Sequence, residues 1–157
     1  MSEVFEGVVS QRASNRAKTF AESEGLQVRQ EDLDGGIVIY RTETRENLHF
    51  SDVTDRLAIR IGEDVGVAVV VRYDSRIGHR SSVVYRVGQP AEHYGPDEEL
   101  FVPLDDEGEP QTDVKPIPAS KLDPDEEYET AVNAIELGLR AIGALPWETL
   151  RRFIASR

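Results

Sequence analysis

The stretch from Val65 to Arg72 constrains the fold most, because all of its side chains before the arginine are apolar or absent. Successive side chains of a strand point to opposite faces. One face would therefore hold valines and the other small residues, namely Val65, Val67, Val69 and Val71 against Gly66, Ala68 and Val70. A strand that is apolar on both faces has to be buried on both. We predict a central strand covered on both sides, or buried by a partner subunit, with a helix packed closely on the small residues.

Residues 26–88 contain several further segments in which apolar and polar residues alternate, separated by short polar or glycine-containing turns. This pattern is typical of antiparallel strands joined by tight connections. The predicted strands lie near 26–29, 37–41, 46–50, 57–61, 65–72 and 82–87. We therefore predict an antiparallel β-meander of five to six strands.

Both ends of the chain have the three-to-four residue spacing of amphipathic helices. Residues 3–24 are predicted to form an N-terminal helix capped by Ser2 and ended by Gly25. At the other end, Asp123-Pro124 is a typical helix start, and Pro146 opens a last short helix, giving two C-terminal helices over 124–155. Trp147 in this last helix is predicted to be core, with an exposed docking helix as the alternative.

Together these patterns predict an α+β fold in which an N-terminal helix and two C-terminal helices pack on the meander. The 157 residues are the size of one ordinary domain, so we expect a single domain over 1–157. The segment 89–124 interrupts the periodicity, contains seven prolines and offers one further strand, 99–103, which we assign to a sheet edge.

The negative charge is confined to one part of the chain. Fifteen acidic residues lie between Glu92 and Glu136, against the two cations Lys115 and Lys121, so this part has a net charge of −13. The rest of the chain is close to neutral, since the whole has a net charge of −12. Acidity over the whole surface would indicate adaptation to salt. A single acidic segment instead indicates association with a cationic surface.

Several classes of function are disfavoured by composition. The chain has no cysteine, which excludes disulfides, thiolate metal sites and thiol nucleophiles. Its first residues lack the cations and the apolar core of a signal peptide, and no apolar run is long enough to cross a bilayer. We therefore expect a cytoplasmic protein with no membrane partner. The acidic charge also argues against a nucleic-acid partner.

Residues 72–80 are the strongest local anomaly, because three arginines and a histidine lie on one strand connection of an acidic protein. Arg72, Arg76 and Arg80 are the residues predicted to bind an anion, since guanidinium groups bind phosphate or carboxylate in a bidentate manner. His79, Asp74 and Ser75 supply the residue types of a base, an orienting acid and a nucleophile, and they are the catalytic candidates. The plainer interpretations are a solvated hairpin tip and an intramolecular docking site for the acidic segment.

No metal site or cofactor is predicted. The three histidines, His49, His79 and His93, lack ligand spacing, and residues 105–109 lack the spaced oxygen donors of a calcium loop. No glycine-rich loop leads from a strand into a helix, so the usual nucleotide-binding motifs are absent.

Two classes of function remain. The first is a non-catalytic interaction module, of the adaptor, chaperone-like or immunity-like kind, that binds a basic protein through an exposed sheet face and the acidic segment. Its partner-binding candidates are Asp105, Asp106, Glu107 and Glu109. The second is a small anion-binding protein or enzyme centred on residues 72–80, with Asp74 or His93 as the acid–base group. A homodimer is a further expectation, because a strand apolar on both faces invites a second copy.

Overall fold

The protein has an α+β architecture in a computed structural model that describes residues 3–43, 51–95, 100–111, 114, 117–143 and 146–156. A six-stranded antiparallel sheet has the order β2-β3-β1-β4-β5-β6. Its strands are β1 (Val4–Ser10), β2 (Gln27–Asp32), β3 (Val38–Glu43), β4 (Val67–Asp74), β5 (His79–Arg86) and β6 (Glu92–Tyr94). A second antiparallel sheet places β7 (Leu100–Pro103) between β8 (Ile117–Pro118) and β9 (Tyr128–Val132).

Four α-helices cover the large sheet. They are α1 (Arg16–Glu24), α2 (Asp52–Val65), α3 (Ala134–Leu139) and α4 (Trp147–Ala155). Short 3-10 turns lie at Asp34–Gly36, Ala119–Lys121 and Arg140–Ile142. Helices α1 and α2 pack on one face of the sheet, and α3 and α4 pack on the other. The predicted class, a five- to six-stranded antiparallel sheet with one N-terminal and two C-terminal helices, is confirmed. None of the described helices has the length and apolar character that crossing a bilayer requires.

Strand β4 is central, as its composition predicts, but it spans Val67–Asp74 rather than 65–72, because Val65 is the last residue of α2 and Gly66 follows it as the helix cap. It pairs with β1 on one side and β5 on the other. The valines of one face, such as Val69, pack under α3 and α4, and Ala68 on the opposite face packs under α2. A side-chain carbon on Gly62 of α2 would lie 3.0 Å from the carbonyl oxygen of Tyr85, so α2 approaches the backbone of β5 closely at this glycine.

The predicted helix over 3–24 is wrong in its first half. Residues 4–10 form β1, which is paired on both sides by β3 and β4, and only Arg16–Glu24 are helical. An interior strand buries both faces, so Phe5, Val8 and Val9 also match helical spacing. Gly25 does end the helix with φ 66°, as predicted, whereas the proposed cap Ser2 lies outside the described residues.

The predicted strand at 57–61 is also wrong, because these residues lie inside α2. Leu57, Ala58 and Ile61 are fully buried with helical spacing, while Ile59 is exposed. The Ser51 side chain accepts a hydrogen bond from the Val53 N–H and caps the helix. The segment Leu57–Ile61 is too short for alternation alone to distinguish a strand from a helix. The strand predicted at 46–50 lies outside the described residues.

The segment after residue 88 contains more structure than predicted. Residues 128–132 form β9, and the helix expected from 124 begins only at Ala134, capped by the Asn133 side chain. Pairing of β9 with β7 outweighs the helical signal at Asp123-Pro124. For the same reason β7 has a partner on both sides and is not an edge strand. The last helix follows Pro146, with Trp147 and Leu150 buried as core.

Thr54, on the sheet-facing side of α2, is buried, and its hydroxyl has no hydrogen-bond partner among the described residues. An unsatisfied buried hydroxyl destabilises the fold. We expect Thr54→Val, which keeps the shape, to raise the free energy of unfolding by about 1 kcal/mol in urea denaturation. The control Thr19→Val, at an exposed position of α1, should change it by less than about 0.5 kcal/mol. A loss of stability in Thr54→Val would show that the hydroxyl is satisfied.

Candidate functional site

The three arginines of the 72–80 segment do not converge on one site. Arg72 and Arg80 lie on opposite faces of the β4–β5 hairpin, because Arg72 pairs with Ser81 in register and Arg80 with Tyr73. The Arg80 guanidinium carbon lies 5.9 Å from the centre of the Tyr73 ring. Arg76 lies in the exposed turn. The geometry therefore does not assemble the predicted anion-binding cluster.

Arg72 is held in a half-buried network on the face that packs against α2. Its Nε donates to Glu6 at 2.8 Å, and its Nη2 donates to Asp55 at 2.6 Å and to the Ser51 carbonyl oxygen at 3.0 Å. The Tyr85 hydroxyl donates to the other Asp55 oxygen at 2.7 Å. The network thus links β1, β4 and β5 to the first turn of α2.

The charged groups of this network pair with one another. Burial alone would lower the pKa of Arg72, but its hydrogen bonds to Asp55 and Glu6 outweigh burial and raise it. Burial and the hydrogen bond to Asp55 raise the pKa of Tyr85, which therefore stays protonated as a donor. Since two carboxylates surround one guanidinium group, the network has no excess positive charge for an external anion.

Asp74 and His79 lie opposite each other in the β4–β5 register, but the described hydrogen bonds do not join Ser75, His79 and Asp74 as a nucleophile, a base and an orienting acid. Ser75 Oγ accepts from the Glu3 N–H at 2.7 Å, which ties the turn to β1. The two Asp74 oxygens accept from Arg76 at 2.9 and 2.7 Å. His79 Nε2 is 2.7 Å from Ser81 Oγ. Sequence reasoning missed Ser81, although its position two residues after His79 on one strand places both on the same face.

The Asp74–Arg76 pair makes a testable prediction about acid titration. Hydrogen bonds and charge from Arg76 lower the pKa of Asp74 below its ordinary value. A lowered folded-state pKa stabilises the fold above the ordinary value and loses that effect as the pH falls through the folded value. We expect Arg76→Gln to raise the Asp74 pKa, measured by NMR titration of the carboxyl carbon, whereas Arg80→Gln should leave it nearly unchanged. Equal pKa values in both variants would refute the assignment.

The predicted partner-binding acids lie at one end of the second sheet. Asp105, Asp106, Glu107 and Glu109 occupy the turn after β7 and are all exposed. Asp105 Oδ1 accepts from the N–H groups of Glu107 and Glu109, both at 2.9 Å, so the turn is held by its own hydrogen bonds. These four acids are therefore accessible to a partner, and their role in binding stays a prediction.

A second acidic turn, missed by sequence reasoning, adjoins the first. Strands β7 and β9 are antiparallel, so the turn after β7 lies beside the turn before β9, and the Leu104 N–H donates to the Glu127 carbonyl oxygen at 3.2 Å. Nine exposed carboxylates are thereby gathered. We call this group the acidic end: Asp105, Asp106, Glu107, Glu109, Asp123, Asp125, Glu126, Glu127 and Glu129.

The described ion pairs balance part of the negative charge of the large sheet and its helices, but none of the charge gathered at the acidic end. Six described ion pairs neutralise carboxylates of the large sheet and its helices, for example Glu24 with Arg56 and Glu63 with Arg16. Within the described residues, no ion pair involves any of the nine carboxylates of the acidic end. Lys121 is a described cation in the same part of the chain and is also exposed.

The described residues contain no group of three or more histidine, aspartate or glutamate side chains placed to bind a metal ion. His93 is exposed on β6, and His49 lies outside the described residues. Comparisons of the chain with models of known protein families, with curated proteins and with solved structures gave no significant match.

Proposed function

We propose that this protein is a non-catalytic interaction module, of the adaptor, chaperone-like or immunity-like kind, whose acidic end binds a basic protein. The observation that supports this proposal is the grouping of nine exposed carboxylates without a described ion pair. Concentrated negative potential accelerates encounter with a cationic partner and discriminates against other surfaces. Forming ion pairs with the partner would relieve the repulsion within the acidic end.

The proposal assigns binding to the acidic end rather than to a sheet face. Helices α1 and α2 cover one face of the large sheet, and α3 and α4 cover the other, so the expected open sheet surface is not available over the buried strands. The alternative, an anion-binding or catalytic site on residues 72–80, has less support, because Arg72 and Arg76 are already paired with carboxylates.

The test compares two variants with the same change in net charge. In the first, Asp105→Asn, Asp106→Asn, Glu107→Gln and Glu109→Gln neutralise the turn, and the amide oxygen introduced at position 105 would still accept the two N–H hydrogen bonds that hold it. In the matched control, Glu22→Gln, Asp32→Asn, Asp52→Asn and Glu148→Gln neutralise four exposed acids elsewhere. Each protein is used for affinity purification from the native cell at low and at raised salt.

The expected result is a basic partner that wild type and the control variant retain at low salt. The turn variant should lose it, and raised salt should release it from wild type, since exposed charge pairs are screened over about 10 Å at 0.1 M salt. Purification of the protein alone at low salt, or equal retention by the two variants, would reject the proposal.

A further inference from the structure

A groove runs between α1 and α2 on the side of these helices that faces away from the sheet. Its volume is about 870 Å³, and its walls include Arg16, Phe20 and Glu24 of α1 and Arg56, Ile59 and Arg60 of α2. A second depression of about 340 Å³ continues from Ile59 to the turn after β5, where it is lined by Tyr85 and Val87. Ile59 therefore lies where the two depressions meet.

Two of the three exposed large apolar side chains of the described residues lie on this surface. Ile59 is 42% exposed and Val87 57% exposed, and only one other large apolar side chain, Ile77, is exposed among the described residues. Ile59 lies on the solvent side of α2, where packing in the monomer does not require an apolar residue. Apolar exposure rimmed by charged residues is typical of an interaction site.

The charge of this surface is opposite to that of the protein as a whole. Three arginines and two glutamates line the larger groove, a net charge of +1, whereas the chain has −12. Arg16–Glu63 at 3.0 Å and Arg56–Glu24 at 3.1 Å are exposed pairs, which contribute little to stability and exchange readily with other partners. Arg60 is exposed and forms no ion pair among the described residues.

We propose that the groove between α1 and α2 binds an acidic amphipathic helix of a partner protein. Its apolar side chains would contact the exposed Ile59 and Val87. Its flanking carboxylates would pair with Arg60 and compete for Arg16 and Arg56. The larger groove is lined from Arg16 to Glu24 of α1 and from Arg56 to Glu63 of α2, about 12 Å or two helical turns, and the second depression extends it to Val87. An extended or cationic segment would match neither the apolar spacing nor the charge of Arg60.

The proposal predicts that the groove binds an acidic peptide although the chain as a whole has a net charge of −12 and should attract cations. The test uses two helical peptides of about 14 residues with leucines at identical i, i+3, i+4 and i+7 positions, one with glutamates and one with lysines at the polar positions. Each is titrated into ¹⁵N-labelled full-length protein. The glutamate peptide should shift amide signals of α1 and α2, and the lysine peptide should shift those of the acidic end.

Two charge reversals on helices α1 and α2 test whether Arg60 contributes to binding, one at the groove and one as its control. Arg60→Glu should weaken binding of the glutamate peptide by about tenfold or more, and Lys18→Glu, an exposed cation outside the groove, should change it by less than about twofold. Thermal unfolding of both variants would verify that the fold is unchanged.

Absence of shifts in α1 and α2 at about 1 mM glutamate peptide would overturn the groove proposal. Equal weakening by the two reversals would overturn it as well. So would concentration-dependent shifts at the groove without any peptide, which would identify a second copy of the chain as its occupant. The response of the acidic end to the lysine peptide is read separately, so failure of one proposal is distinguishable from failure of the other.

Discussion

Replacing Arg72 with alanine should lower the free energy of unfolding by about 3–5 kcal/mol. The substitution leaves the carboxylates of Glu6 and Asp55 close together and only 15% and 23% exposed, with no cation between them. It also removes the donor to the Ser51 carbonyl oxygen and thereby loosens the first turn of α2. Urea denaturation followed by circular dichroism measures the loss.

The matched control for this prediction is Arg86→Ala. Arg86 is on the neighbouring strand and pairs with Glu92 at 3.4 Å, but both side chains are more than a third exposed. Its removal should cost only about 0–1 kcal/mol. If the two alanine variants lose the same stability, the Arg72 network does not hold α2 to the sheet as described.

Replacing Trp147 with alanine should also cost about 3–5 kcal/mol. The Trp147 ring packs edge-on against Tyr73, with ring centres 5.0 Å apart, and it is 3% exposed. Together with Leu150 it fixes α4 to the valines of β4. Chemical denaturation gives the expected value, and Trp147→Phe should lose less because an aromatic ring is retained.

The control on the same helix is Glu148→Ala, at an exposed position, which should change stability by no more than about 0.5 kcal/mol. A Trp147→Ala variant as stable as this control would mean that α4 is a detachable docking helix. That result would restore the alternative that the sequence left open and contradict the buried position of the ring.

An element could be predicted from the sequence where its local pattern of apolar residues matches its burial in the fold. Strand β4 is apolar on both faces and lies in the centre of the sheet, and α1 ends at the expected glycine. The prediction failed where one pattern fits two structures. Leu57–Ile61 alternates like a strand, but Ser51 and Asp55 supply the cap and the first-turn acid of a longer helix, and these flanking signals favour the helix.

The candidate sites depend on contacts between residues far apart in the chain, which composition cannot reveal. Arg72 reaches Glu6 and Asp55, which are 66 and 17 residues away. Composition reveals the acidic charge but not its grouping, because the sequence pattern of the second sheet predicts a connection followed by a helix. Only pairing of β7 with β9 brings the turn at 123–127 beside the turn at 105–109.

The most direct test of the acidic end as a binding surface is carboxylate-to-amine cross-linking in native cell extract, with the linked peptides identified by mass spectrometry. A zero-length reagent joins only groups in contact. We predict links from the acidic end to lysines of another protein, and few from the exposed acids Glu22, Asp32, Asp52 and Glu148. Links spread evenly over both sets of acids, or formed mainly by the second set, would contradict the account.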